Sequence, residues 1–80
     1  MKSSMEVSLY PLGEGDIGPA IGKFIAVLGE HGCAVEPGPM STLVTGDTPA
    51  LFDALREAYV GAASNRGVVL VVKISNACPV

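Results

Sequence analysis

The sequence has no tryptophan, only four phenylalanines and tyrosines, two cysteines and one histidine, and just five lysines and arginines against eight acidic residues. Each shortage excludes something. A formal charge of -3 gives no electrostatic pull on a polyanion and no counterions to release, so nucleic acid is not an expected partner. Cys33 and Cys78 with His31 fall short of the four ligands that a structural zinc takes. Both cysteines are expected as free, packed thiols, and no metal or cofactor is expected. Neither the start, Met1 to Glu6, nor any later stretch carries a signal peptide's apolar run; the longest run, Val68 to Val72, is strand-sized. The expected location is therefore the cytoplasm, with no membrane partner.

What is present is small and apolar. Eighty residues bury only about 60 to 65% of the surface of the unfolded chain, too little for two cores, so residues 1–80 are expected to form one domain. With 49% hydrophobic and 16% charged residues, little polar surface covers so small a particle, and self-association into a dimer or tetramer is expected.

Alternation runs from Met5 to Tyr10, with Met5, Val7 and Leu9 on one side and Glu6, Ser8 and Tyr10 on the other, as in a strand with one buried face. Pro11 and the following glycines end it, and Asp16 stands as a helix N-cap. Ile17, Ile21, Phe24, Ile25 and Leu28 recur at helical spacing up to about His31, with Gly32 as the stop. A short strand around Cys33 to Glu36, the reversal Pro37-Gly38-Pro39, and a third strand from Met40 to Thr45 form a hairpin. Thr48 as cap and Pro49 as first helical residue open a second helix. Its apolar stripe comprises Leu51, Phe52, Leu55, Ala58, Tyr59 and Ala62. After Ser64 to Gly67, Val68 to Ser75 reads as the fourth strand.

The order βαββαβ predicts an α+β ferredoxin-like sandwich: a four-stranded antiparallel sheet with both helices on one face. Glu6, Ser8 and Tyr10 then share the helix-free face with Val69, Val71, Lys73 and Ser75. If Leu43 points into the core, Met40, Thr42 and Val44 join them. A face that mixes exposed valines, hydroxyls, a phenol and an opposite-charge pair needs a cover, either a second copy or a small ligand near its polar edge.

Gly13-Glu14-Gly15-Asp16-Ile17-Gly18 fits the dinucleotide fingerprint, with Glu36 downstream. Two carboxylates would face the pyrophosphate, however, and a hairpin replaces the parallel crossover, so the glycines are assigned to a loop and helix entry. His31 has no recognisable nucleophile or acid partner, and its place near a helix C-terminus suits the dipole. No carboxylate pair, nucleophile elbow or phosphate loop is evident, so catalysis is not expected. A C-x-x-C copper pair and the exposed aromatics of an RNA-binding sheet are also absent. An amino-acid-binding regulatory domain of the ACT type shares this architecture and stays open, as does a purely oligomerising interaction module.

Three segments, Val7-Ser8-Leu9-Tyr10-Pro11-Leu12, Met40-Ser41-Thr42-Leu43-Val44 and Ser75-Asn76-Ala77-Cys78-Pro79, together resemble the YkoF-like thiamine-binding proteins. The similarity continues through Gly46, Phe52-Asp53-Ala54, Tyr59 and Ala62-Ala63-Ser64-Asn65. This resemblance implies a ferredoxin-like domain that binds thiamine or its hydroxymethylpyrimidine moiety without catalysis, as carrier, buffer or sensor. Its ligand contacts would fall on Ser8, on Ser41 or Thr42, and on Tyr10. An aminopyrimidine offers donors and acceptors, and a hydroxyl can rotate to serve either. Lys73 would repel the thiazolium cation unless Glu6 neutralises it.

Overall fold

The computed structural model describes residues 1–13 and 15–77. Its order is β1 (Lys2–Pro11), α1 (Gly18–Leu28), a 3₁₀ turn (Gly29–His31), β2 (Ala34–Pro37), β3 (Thr42–Asp47), α2 (Thr48–Ala63) and β4 (Val68–Ser75). The four strands form one antiparallel sheet in the order β2-β3-β1-β4. This is the expected α+β, ferredoxin-like βαββαβ arrangement. Cys78, expected as a free packed thiol, lies outside the described residues, and so does Glu14 of the glycine-rich segment.

Alternation in β1 sends Met5 and Val7 into the core, where they meet Val44 of β3 and Phe24, Leu28, Leu51, Ala54 and Ala58 of the helices. Leu51 and Leu28 are fully buried. Small residues at 54 and 58 let α2 approach its neighbours closely. By contrast Phe52 and Tyr59, expected in the same stripe, are 52% and 41% exposed. They overhang the sheet's edge, lining a cleft with Leu55, Val68 and Leu70. Helical spacing locates an apolar face, but the finite width of a four-stranded sheet decides which part of that face finds cover.

Local chemistry sets the element ends, and two caps differ from expectation. Asp16 Oδ1 accepts from the Gly18 amide at 2.9 Å, but Ile17 occupies the cap position of α1. At α2 the cap residue is Asp47, whose side chain makes no capping bond and instead lies 3.6 Å from Lys2 Nζ. Thr48 is the first helical residue. Its hydroxyl donates to the Met1 carbonyl at 3.0 Å and lies 2.6 Å from the Ser3 hydroxyl, while its amide donates to the same carbonyl at 2.9 Å. The hydroxyl that sequence reasoning gave to the helix thus clamps α2 to the start of β1.

Gly32, with φ +76°, supplies the left-handed stop expected after the first helix, a conformation that costs an L side chain about 1 to 2 kcal/mol. His31 does more than face a helix end: its Nε2 is 2.5 Å from Glu57 Oε2 on α2. Gly46 has a packing reason, since a Cβ there would meet Cys33 Sγ at 3.1 Å. Burial, followed by the Asp47 carboxylate, pushes the Cys33 thiol above its ordinary pKa, so it stays protonated and weakly nucleophilic at neutral pH.

Candidate functional site on the helix-free face

Strand register builds this face in rows. Glu6 sits opposite Leu43 on one side and Lys73 on the other, and Leu43 opposite Glu36. One step along β1, Ser8 faces Val71, and Tyr10 faces Val69. In the other direction Ser4 lies between Thr45 and Ser75. Directly opposed residues have Cβ atoms about 4.5 to 5.5 Å apart, so each row is in side-chain contact.

The polar centre is Glu6. Its Oε1 lies 3.3 Å from Lys73 Nζ, so the opposite-charge pair anticipated from the sequence is formed. The Ser41 hydroxyl first, and then Lys73, favour the ionised form and hold the Glu6 carboxyl below its ordinary range. Ser8 Oγ reaches toward the Met40 carbonyl at 3.4 Å, a long contact that leaves the hydroxyl's lone pairs free to accept. Ser41 acts on this carboxylate, and Ser8, two residues along β1, shares its face of the sheet. Around them Tyr10, Val69, Val71 and Leu43 are 53%, 47%, 50% and 42% exposed.

Thr42, expected on this face, lies on the other one. It pairs with Val7, shares that residue's face, and is 7% exposed. The expectation that it joins Ser8 depended on Leu43 entering the core, whereas Val44 is the fully buried residue and Leu43 is exposed. Ser8 and Thr42 are thus on opposite faces of the sheet, and no single small ligand on the helix-free face touches both. Of the four sequence candidates, Ser8, Tyr10 and Ser41 belong to this face. Met40, placed with them on the same condition, precedes β3 and is 87% exposed. Glu6, expected from the sequence only as a charge partner, is a further polar group of this face, and strand alternation alone sets it on the same side as Ser8. Among the described residues no three His, Cys, Asp or Glu side chains gather as metal ligands.

Because ionisation of Glu6 is favoured in the folded chain, its contribution is fully present above the pKa of an unfolded glutamate and fades as pH falls through the lower folded value. Glu6→Gln is expected to be less stable than the parent above that window, and the two proteins to converge as pH falls through it. Urea unfolding of both proteins from pH 3 to pH 7 reads this directly. Parallel pH profiles would show that Glu6 gains nothing from Ser41 and Lys73.

An antiparallel βαββαβ sheet whose open side carries a compact polar group within apolar residues defines a small ferredoxin-like module. The chain belongs to the thiamine-binding protein family, whose profile matches residues 5–77. Among solved structures it is similar to protein MJ1052 of Methanocaldococcus jannascii, at 31% identity, TM-score 0.87, covering 94% of this chain and 79% of that one. It is similar to protein SP2199 of Streptococcus pneumoniae at 28% identity, TM-score 0.84, with 94% and 86% coverage. At 22% identity and TM-score 0.81, covering 92% and 82%, TM0486 of Thermotoga maritima, a candidate thiamine biosynthesis/salvage protein, shares the fold. No curated protein matches the sequence. The family assigns the chain a thiamine-related role. Among the described residues no helix is long and apolar enough to cross a membrane.

Proposed function

We propose that this protein reversibly binds thiamine or its hydroxymethylpyrimidine moiety on the helix-free face, without catalysis, as a carrier, buffer or sensor in vitamin handling. The observation that carries this reading is the Ser8, Glu6 and Ser41 group on one face of a chain that matches the thiamine-binding family over residues 5–77. A carboxylate held ionised accepts hydrogen bonds from an exocyclic amine, and hydroxyls complete the pattern by donating or accepting. Tyr10, Val69 and Val71 offer apolar surface for the ring. Lys73 is neutralised by Glu6, which reduces its repulsion of a thiazolium cation.

An open sheet surface encloses nothing by itself, and two clefts among the described residues lie elsewhere, between the helices and beside the β4 edge. Completing the site therefore calls for a second copy laid over the same face, in a homodimer or homotetramer. Exposed Val69, Val71 and Leu43 favour that cover. They also support a second reading, in which self-association consumes the entire face and the protein is an interaction module.

Calorimetric titration with thiamine and, separately, hydroxymethylpyrimidine distinguishes the two. Saturable heat is expected, with Ser8→Ala and Ser41→Ala each weakening binding by about 1 kcal/mol, roughly fivefold. Thr42→Val is expected to leave affinity unchanged, because that side chain faces the helices. Absence of heat with both ligands at an unaltered oligomeric state would favour the interaction module.

A further inference from the structure

We propose that a second site, the cleft between α1 and α2, binds a small organic phosphate through Lys23 and Arg66, with Phe24 and Val27 against its apolar portion. The cleft has a volume of about 270 Å³, and these four residues line it together with Asn65 and Ser64. It opens on the helix layer, the opposite side of the molecule from Glu6 and Ser8, so the inference stands independently of the reading of the sheet face.

The decisive atom is Arg66 Nη1, which is buried and has no hydrogen-bond partner among the described residues. A guanidinium nitrogen withdrawn from water without an acceptor is unfavourable, and a turn of the Arg66 side chain toward an acceptor held in the cleft relieves it. Lys23 brings a second cation from α1. Ser64 already donates to the Gly61 carbonyl at 2.9 Å, while the Asn65 amide adds donors to the wall.

Two cations match the dianionic charge of a phosphate monoester better than the single charge of a carboxylate, and the planar fork of arginine suits phosphate oxygens. Asp16 occupies the Gly18 amide at the start of α1, so the positive character of the cleft comes from side chains and not from the helix end. The neighbouring wall, Phe24 with Val27 and Ala20, is apolar, which favours an organic ester over the inorganic ion. A polyanion is a poor fit for a chain of net charge -3, and a thiazolium cation is repelled here by Lys23 and Arg66.

Phenyl phosphate titrated into isotope-labelled protein at low salt, followed by amide and methyl shifts, tests the proposal. Saturable changes are expected at Lys23, Val27, Asn65 and Arg66. Lys23→Gln and Arg66→Gln should each weaken binding at least tenfold. Lys23 is exposed, so its variant keeps the fold if the arginine variant does not. Inorganic phosphate should bind at least tenfold more weakly than phenyl phosphate, and benzyl alcohol should leave the cleft unchanged. Non-saturable shifts, shifts mapping elsewhere, equal binding of inorganic phosphate, or an unchanged Kd in Lys23→Gln would overturn it. Thiamine binding read on the sheet face in the same spectra reports separately on the other site.

Discussion

Leu51→Ala is expected to lower the unfolding free energy by about 2 to 5 kcal/mol, the largest effect of any single change considered for this chain. Leu51 has no exposed surface, and it belongs to the cluster in which the helices meet Met5, Val7 and Val44. Its neighbours cannot easily collapse into the vacated volume, because Met5 and Val44 are fixed by pairing between β1 and β3. A chain of this size has a total stability of only about 4 to 12 kcal/mol, so the variant should be partly unfolded well below the parent's melting temperature. Urea denaturation monitored by far-ultraviolet circular dichroism supplies the number. A loss under about 1 kcal/mol would mean that the helix layer repacks freely.

The second large effect is expected at Gly38, in the β2–β3 hairpin. Its amide donates to the Ser41 carbonyl at 2.9 Å, and a Cβ on Gly38 would come within 2.9 Å of that same oxygen. Backbone, unlike the far end of a side chain, cannot swing aside. Gly38→Ala should therefore cost about 1 to 3 kcal/mol, as overpacking does, and should open the turn that holds Ser41 beside Glu6. Stability and ligand affinity would fall together, whereas Ser41→Ala lowers affinity roughly fivefold with little change in unfolding. A Gly38→Ala protein with parental stability and parental affinity would show that the turn does not position Ser41.

This pairing of effects also shows where the sequence was informative. Period-two alternation in Met5 to Tyr10 locates β1, which extends over Lys2–Pro11, and the run Val68 to Ser75 matches β4 in full, because burial on one side leaves a regular signature. The third strand was harder. Met40-Ser41-Thr42-Leu43-Val44 mixes apolar and hydroxyl residues on both parities, so its hydrophobicity does not say which set turns inward. Pairing with β1 decides it: Val44 opposite Met5 and Thr42 opposite Val7 both follow the buried side. A slip of one position exchanges the faces, which is why Ser41 remains with the site and Thr42 leaves it.

Similarly, spacing drew one stripe through α2 but could not show that Phe52 and Tyr59 project beyond the edge strand. Thr48 was recognised as a terminus residue, yet its partner was Met1, 47 residues away, a contact that no local pattern encodes. The cleft between the helices left no sequence motif at all, since Lys23 and Arg66 are brought together only by the packing of α1 against the end of α2.

The most direct measurement follows the amide resonances of the protein as thiamine or hydroxymethylpyrimidine is added. Ligand recognition by the helix-free face predicts saturable shifts centred on Glu6, Ser8, Ser41 and Val71, with Thr42→Val behaving as the parent and Ser8→Ala titrating at higher ligand concentration. A spectrum unmoved by either compound, or shifts confined to the helix layer, would contradict it.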